Sequence, residues 1–189
     1  MPEQPTLQTE RLLLRPLTAL DVPVLVREAG RREIADTTIS IPHPYSEEQG
    51  RQWIADTAAQ FARGKVVVFS IQLKSEGNLI GTIGLRDIDL EHSQAEMGFW
   101  MAVAHWGHGY TTEAARALLA FAFERLRLNR IYAHHMVRNP ASGRVLARIG
   151  MQHEGVHRQR VRKWGVFEDV VAMAALSQEF RQKDLRVEK

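Results

Sequence analysis

The sequence predicts one α/β (α+β) domain built on a mixed, mostly antiparallel sheet of six to seven strands flanked by helices. Three observations carry this. Strand-like and helix-like patterns alternate irregularly along the 189 residues. One strand–loop–helix–strand unit stands in the middle, and apolar strands separated by short turns surround it. No repeat, low-complexity run or Gly/Ser linker divides the chain, so residues 1–189 are expected to form one domain, with a core over about 7–177 and a tail over 178–189.

The elements follow in order. Leu7 to Leu17 is Leu-rich and reads as a strand, with Pro16 stopping it. Thr18 then has the character of an N-cap, with Asp21 three residues on, so a helix is expected to about Ala29. Ile41-Pro42-His43-Pro44-Tyr45 cannot be helical. Ser46 with Gln49 is a capping box that opens a helix carrying Trp53, Ile54, Thr57, Ala58 and Phe61 on one face, closed by Gly64. Val66 to Ile71 is β-branched and apolar. Glu76-Gly77-Asn78 is a turn, and Leu79 to Asp87 returns as the second arm of a hairpin. Ala95 to Val103 is a further strand. After Gly109 the apolar period becomes helical, through Ala114, Ala115, Leu118, Leu119 and Ala122 to Arg127. Arg130 to Val137 is a strand, Pro140 to Ile149 a helix closed by Gly150, and Val166 to Leu176 a last strand.

Composition removes several classes of function. Hydrophobic residues make up 44% and charged residues 25%, ordinary for a folded soluble domain. No run approaches 18 apolar residues, so no membrane span is expected. Met1-Pro2-Glu3-Gln4-Pro5 has no basic stretch leading into an apolar one, so no secretory signal is expected. Cysteine is absent. Disulfides, thiolate metal sites and a cysteine nucleophile are excluded, and a cytoplasmic location is expected. The eight histidines lack cysteine or carboxylate partners at ligand spacing, so no metal is expected. The net charge of +3 is mild. The basic run His157 to Trp164 would place Arg158, Arg160 and Arg162 on one strand face. It reads as a solvated strand edge or a contact for acidic substrate groups, and nucleic acid is not the expected partner.

The chemical signal is His105-Trp106-Gly107-His108-Gly109-Tyr110-Thr111-Thr112-Glu113, between a strand and a helix. Two glycines allow close backbone approach and positive φ. The free N–H groups of the first helical turn then face outward, which suits a phosphate or diphosphate. The same residues also make a tight strand-to-helix turn, with Thr111 or Thr112 as cap. Neither a Walker loop nor a Gly-x-Gly-x-x-Gly fingerprint is present.

This stretch resembles the acetyl-CoA signature of the GNAT acetyltransferases, Arg/Gln-x-x-Gly-x-Gly/Ala. Its Trp-Gly-x-Gly-Tyr-x-Thr-Glu-Ala form is similar to the branch that acetylates ribosomal-protein N-termini (the Rim type). The likeness continues through Thr9-Glu10-Arg11-Leu12, Gly81-Thr82-Ile83-Gly84, Ala95 to Trp100, Asn139-Pro140-Ala141-Ser142 with Ile149-Gly150-Met151, and Gly165 with Asp169. The arginine or glutamine that often opens the signature is here Val103 or Ala104. Leu146 and Met173 stand where tyrosine is common.

The resemblance implies a GNAT-like domain that moves an acetyl group directly from acetyl-CoA to a primary amine. A protein N-terminus is the first acceptor, a small-molecule amine the second, and a non-catalytic CoA sensor the rival. Trp106, Gly107, His108, Gly109, Tyr110 and Thr111 would hold the coenzyme, with Asn139 on its pantetheine arm; Arg144, on the helix that follows, reads either as facing the coenzyme phosphates or as facing water. A backbone N–H among Met101, Ala102 and Val103 would face the oxyanion. Glu96 would be the base and Ser142 the proton donor to the leaving thiolate, and Ser142 would also touch coenzyme. Locally, Glu96 reads equally as a paired strand-end carboxylate, Ser142 as a helix first-turn residue, and Asn139 as the N-cap before Pro140. Monomer and homodimer are both compatible with the sequence.

Overall fold

A computed structural model describes residues 3–180. The readings for Met1–Pro2 and for most of the tail, residues 181–189, lie outside the described residues.

One eight-stranded sheet organises the domain, in the order β1-β2-β3-β4-β5-β6-β8-β7. The strands are β1 (Leu7–Gln8), β2 (Leu12–Pro16), β3 (Val67–Leu73), β4 (Leu79–Asp89), β5 (Gln94–Met101), β6 (Arg130–Met136), β7 (Gln152–Lys163) and β8 (Val166–Leu176). All neighbours are antiparallel except β5 and β6. That parallel pair is the strand–loop–helix–strand unit, with helix α4 (Tyr110–Ala120) as its crossover. Further helices are α1 (Val22–Ala29), α2 (Arg32–Thr37), α3 (Glu47–Ala62) and α5 (Pro140–Arg148).

Each sheet face carries its own apolar cluster. Along β5, Ala95, Met97 and Met101 point to the face covered by α4, where Leu118 and Leu119 pack with Leu12, Phe69 and Ile83. The alternate residues Glu96, Gly98 and Trp100 point to the other face. There Trp100 packs with Leu25 and Ala29 of α1 and Ile34 of α2.

The structure departs from the sequence reading in five places. The expected strand Leu7 to Leu17 is a hairpin: Thr9 N–H reaches Leu12 O at 3.0 Å, which splits off β1 and raises the strand count to eight. Thr18 opens a 3₁₀ turn, Ala19–Asp21, before α1 begins. Helix α2 was not expected. Strand β5 ends at Met101, and a 3₁₀ turn at Val103–His105 follows it. The helix after Gly109 finishes as a π turn, Phe121–Arg125.

A further correction concerns the basic run. Pairing of β7 with β8 moves from His157↔Val170 to Val161↔Glu168, so residues 158–160 stand opposite Asp169 alone. Gln159 adopts φ +50° and donates its N–H to Asp169 Oδ1 at 2.7 Å. This bulge breaks the alternation on which one arginine face depended.

Candidate active site

The Gly107–Gly109 turn lies just past the C-terminal end of β5, and α4 starts from it. Gly107 and Gly109 take φ of +81° and +79°, a region that side chains bearing a Cβ avoid. Among the described residues, the N–H groups of Gly107, His108 and Gly109 donate to no protein acceptor. Nothing lies within 4 Å of where a Gly107 Cβ would stand. The rim is braced from outside. Arg11 donates to His108 O at 3.1 Å and lies 4.6 Å over the Tyr110 ring. The rings of His108 and Tyr110 stack at 5.5 Å, and Trp106 Nε1–H donates to Met101 O at 2.7 Å. Free amides at a helix N-terminus, with bare glycines beside them, suit an anionic phosphate.

Strands β5 and β6 pair only as far as Met97↔Ala133 and then part. Their parallel course brings the start of α4 and the start of α5 to the same end of the sheet. Against the face opposite α4 lies a cavity of about 550 Å³. Glu96, His134 and Ser142 line it, with Tyr45 and Trp53 on its far side.

Glu96 is buried, and both its oxygens are engaged. Arg86 donates to Oε1 at 2.8 Å and to Oε2 at 3.1 Å, and His134 Nδ1 lies 2.9 Å from Oε1. Burial works against the charged carboxyl. The hydrogen bonds and charge of Arg86 and His134 outweigh it and hold Glu96 below the usual carboxylate range.

Of the three amides expected at the oxyanion, Ala102 N–H is already taken by Ile80 O at 2.8 Å. With Met101 opposite Gly81, that bond makes Met101 a non-hydrogen-bonded position toward β4, so its N–H faces the side where β6 has parted. Val103 has turned into the 3₁₀ segment.

Asn139 caps α5. Its Oδ1 accepts Ser142 N–H at 3.2 Å, and its Nδ2 donates to Thr37 O and Ser142 Oγ, each at 3.0 Å. Both ends of the amide are thus engaged within the protein, which favours the capping role over a coenzyme contact. Ser142 Oγ accepts from Asn139 and keeps its own hydrogen to donate. Arg144 is exposed on α5 and makes no hydrogen bond or ion pair among the described residues.

Three site features escaped the sequence reading. His134 sits on the cavity face of β6 through the same alternation that places Tyr132, but its partner Glu96 comes from 38 residues away. Arg86 is an exposed-looking strand residue until β4 is registered on β5. Arg138 ties α2 to β8, with Asp36 Oδ2 at 3.0 Å and Glu168 Oε1 at 2.7 Å; a lone arginine before a cap carries no signal of this.

Residues 11–152 match the family described as Acetyltransferase (GNAT) domain. The chain belongs to the GNAT acetyltransferase family. It is 33% identical to the uncharacterized N-acetyltransferase p20 of Bacillus licheniformis, over 93% of this chain and 98% of that protein. It is 30% identical to the ribosomal-protein-serine acetyltransferase of Escherichia coli, over 66% of this chain and 69% of the relative. Its fold superposes on Mycobacterium smegmatis RimJ in complex with CoA-disulfide with a TM-score of 0.85 at 22% identity, covering 93% of this chain and 89% of RimJ. The chain is therefore an N-acetyltransferase, and GNAT enzymes take their acetyl group from acetyl-CoA.

Proposed function

We propose that this GNAT enzyme acetylates a primary α-amine at a protein N-terminus by direct transfer, in the cytoplasm. The carrying observation is that Ser142 and the Glu96–His134 pair line one cavity beside the place where β5 leaves β6. The free amides from Gly107 to Thr111 would bind the coenzyme diphosphate, with Trp106, His108 and Tyr110 shaping that rim. Met101 N–H would meet the carbonyl oxygen as it becomes negative, a contact worth about 3 kcal/mol. Ser142 would return a proton to the leaving thiolate. An α-amine, with a pKa of roughly 8, is partly neutral near pH 7, whereas a lysine at roughly 10.4 is not. The relative named ribosomal-protein-serine acetyltransferase supports a protein as the acceptor.

A small-molecule amine is the second reading. A cavity of about 550 Å³ with Tyr45 and Trp53 on one side and Asp56 and Asp87 among its lining residues suits a compact cation. Calorimetry with acetyl-CoA, followed by release of free thiol with a panel of N-terminal peptides and polyamines, tests both. Peptide α-amines are expected to release thiol at least ten times more efficiently than polyamines. The reverse order selects the small-molecule acceptor, and binding without thiol release with any amine makes the chain a CoA sensor.

A further inference from the structure

We propose that His134 takes the proton from the acceptor amine and that Glu96 is the residue that positions it. The inference rests on the N-acetyltransferase reading and assigns its proton path. His134 Nδ1 lies 2.9 Å from Glu96 Oε1. An ionised carboxylate only accepts, so Nδ1 carries the hydrogen, and in the neutral form of the ring Nε2 presents a bare lone pair. No protein group among the described residues hydrogen-bonds Nε2. The His134 side chain is only 9% exposed and lines the cavity. Glu96 already accepts from Arg86 at both oxygens and from His134 at Oε1, so three of its roughly four acceptor sites are taken. It is well placed to steady an imidazolium as that charge forms.

Other ionisable groups surround the ring. Glu96 faces it from β5; on β4, Arg86 holds the other side of Glu96 and Asp87 lines the same cavity. Tyr132 on β6 lies edge-on at 5.7 Å. From β7 come His157, with its ring at 5.7 Å, Arg160 beside His157, and Glu154, close enough for His134 to stabilise its charge. From β8, the register neighbour Ala172 brings no charge.

The substrate ammonium gives one proton to His134 Nε2. The freed amine nitrogen attacks the thioester carbonyl, forming the C–N bond, and the C–S bond breaks with its electron pair on sulfur. The second nitrogen proton passes to the thiolate through the Ser142 hydroxyl, giving amide and free CoA thiol. His134 returns its proton to water.

The test uses full-length protein. His134→Gln is expected to lower kcat/KM for the amine by about 10² to 10⁴ and to leave acetyl-CoA affinity within twofold. The acidic limb of its kcat/KM profile should disappear. Two amines of different pKa are compared, because the substrate's own limb moves between them and the enzyme's does not. Glu96→Gln keeps an acceptor for Nδ1–H but removes the counter-charge, so that limb should shift to lower pH. A merely structural Glu96 would change kcat/KM without moving the limb. Retention of the limb, or of kcat/KM within threefold, in His134→Gln overturns the assignment. Nitrogen-15 NMR of the wild-type imidazole is the second arm. A hydrogen on Nδ1 sustains the proposal and one on Nε2 overturns it, even if His134→Gln does not fold. If the wild-type protein releases no thiol with any amine, the acetyl-transfer reading fails, and the NMR arm still decides the tautomer.

Discussion

Arg11 and Glu113 stand 102 positions apart in the chain and meet at 2.7 Å. Glu113 Oε1 also accepts Thr9 Oγ1–H at 2.5 Å and Arg11 N–H at 2.9 Å. The acidic residue of the first turn of α4 is thus bound to the β1–β2 turn. Burial opposes its charge, but the hydrogen bonds from Thr9 and Arg11 win and hold it below the ordinary range. Since Arg11 also braces His108 O and Tyr110, it joins the N-terminal hairpin to the glycine rim. Arg11→Ala is expected to raise the acetyl-CoA Kd by about tenfold, equivalent to about 1.4 kcal/mol, by loosening that rim. Arg11→Lys should not restore it, because an ammonium cannot bridge a carboxylate and a carbonyl while lying flat on a ring. Calorimetry on the two variants decides, and full recovery with lysine would remove the guanidinium from the account.

Gly109 separates strain from space. Its nearest neighbour would be Arg11 Nη2, 3.6 Å from an added Cβ, so a methyl group fits. The cost of Gly109→Ala is then the left-handed backbone alone, about 1 to 2 kcal/mol. That should lower Tm by roughly 2 to 8 °C for a chain of this size. Gly77, in the β3–β4 turn at φ +71° with nothing within 4 Å, is the control. Gly77→Ala should cost similar stability and leave acetyl-CoA binding untouched, whereas Gly109→Ala should weaken both. Equal coenzyme binding by the two variants would argue against Gly109 as part of the phosphate rim.

Local chemistry made much of this architecture legible. Ser46 and Gln49 form the reciprocal cap that their spacing implies, and the β-branched run after Lys65 is β3. Where partners are distant, the signal fades. Helix α2 has no side-chain cap; Ile34 and Ala35 hold it by burial, which no six-residue window reveals. The β7 bulge depends on Asp169, ten residues beyond Gln159. The glycine rim was readable because positive φ is written into glycine. The meeting of His134 with Glu96 was not, because it follows from the parallel register of β5 and β6.

His135 shows how closely α5 is packed on β6. Its ring is buried, its Nδ1–H reaches Met136 O at 2.9 Å, and Gly143 faces its edge. An added Cβ at Gly143 would stand 2.8 Å from His135 Nε2 and 3.0 Å from Cε1. Gly143→Ala therefore forces the ring or the helix to move, at about 1 to 3 kcal/mol. His135→Ala should relieve part of that clash, so the double variant should be more stable than the sum of the two single losses. Urea melts of all four proteins test the coupling, and simple additivity would show that the ring yields freely.

Asp21 sets a pH dependence of stability. Its carboxylate is buried and accepts from Arg15 at 2.6 and 2.8 Å and from Thr18 N–H at 2.8 Å. Burial alone would raise its pKa, but the Arg15 and Thr18 hydrogen bonds and the Arg15 charge bring it below the usual value. The unfolded chain therefore holds a proton at pH values where the folded one does not. The stabilisation is full above the unfolded pKa of about 3.9 and fades as pH falls through the lower folded value. Asp21→Asn should cost about 1.5 to 3 kcal/mol at pH 7, the range for hydrogen bonds to charged groups. The gap from wild type should narrow from about pH 4 downward. Denaturant melts at pH 7, 4 and 3 measure it, and a gap that stayed constant across the three would show that the Asp21 charge contributes nothing to holding α1 against β2.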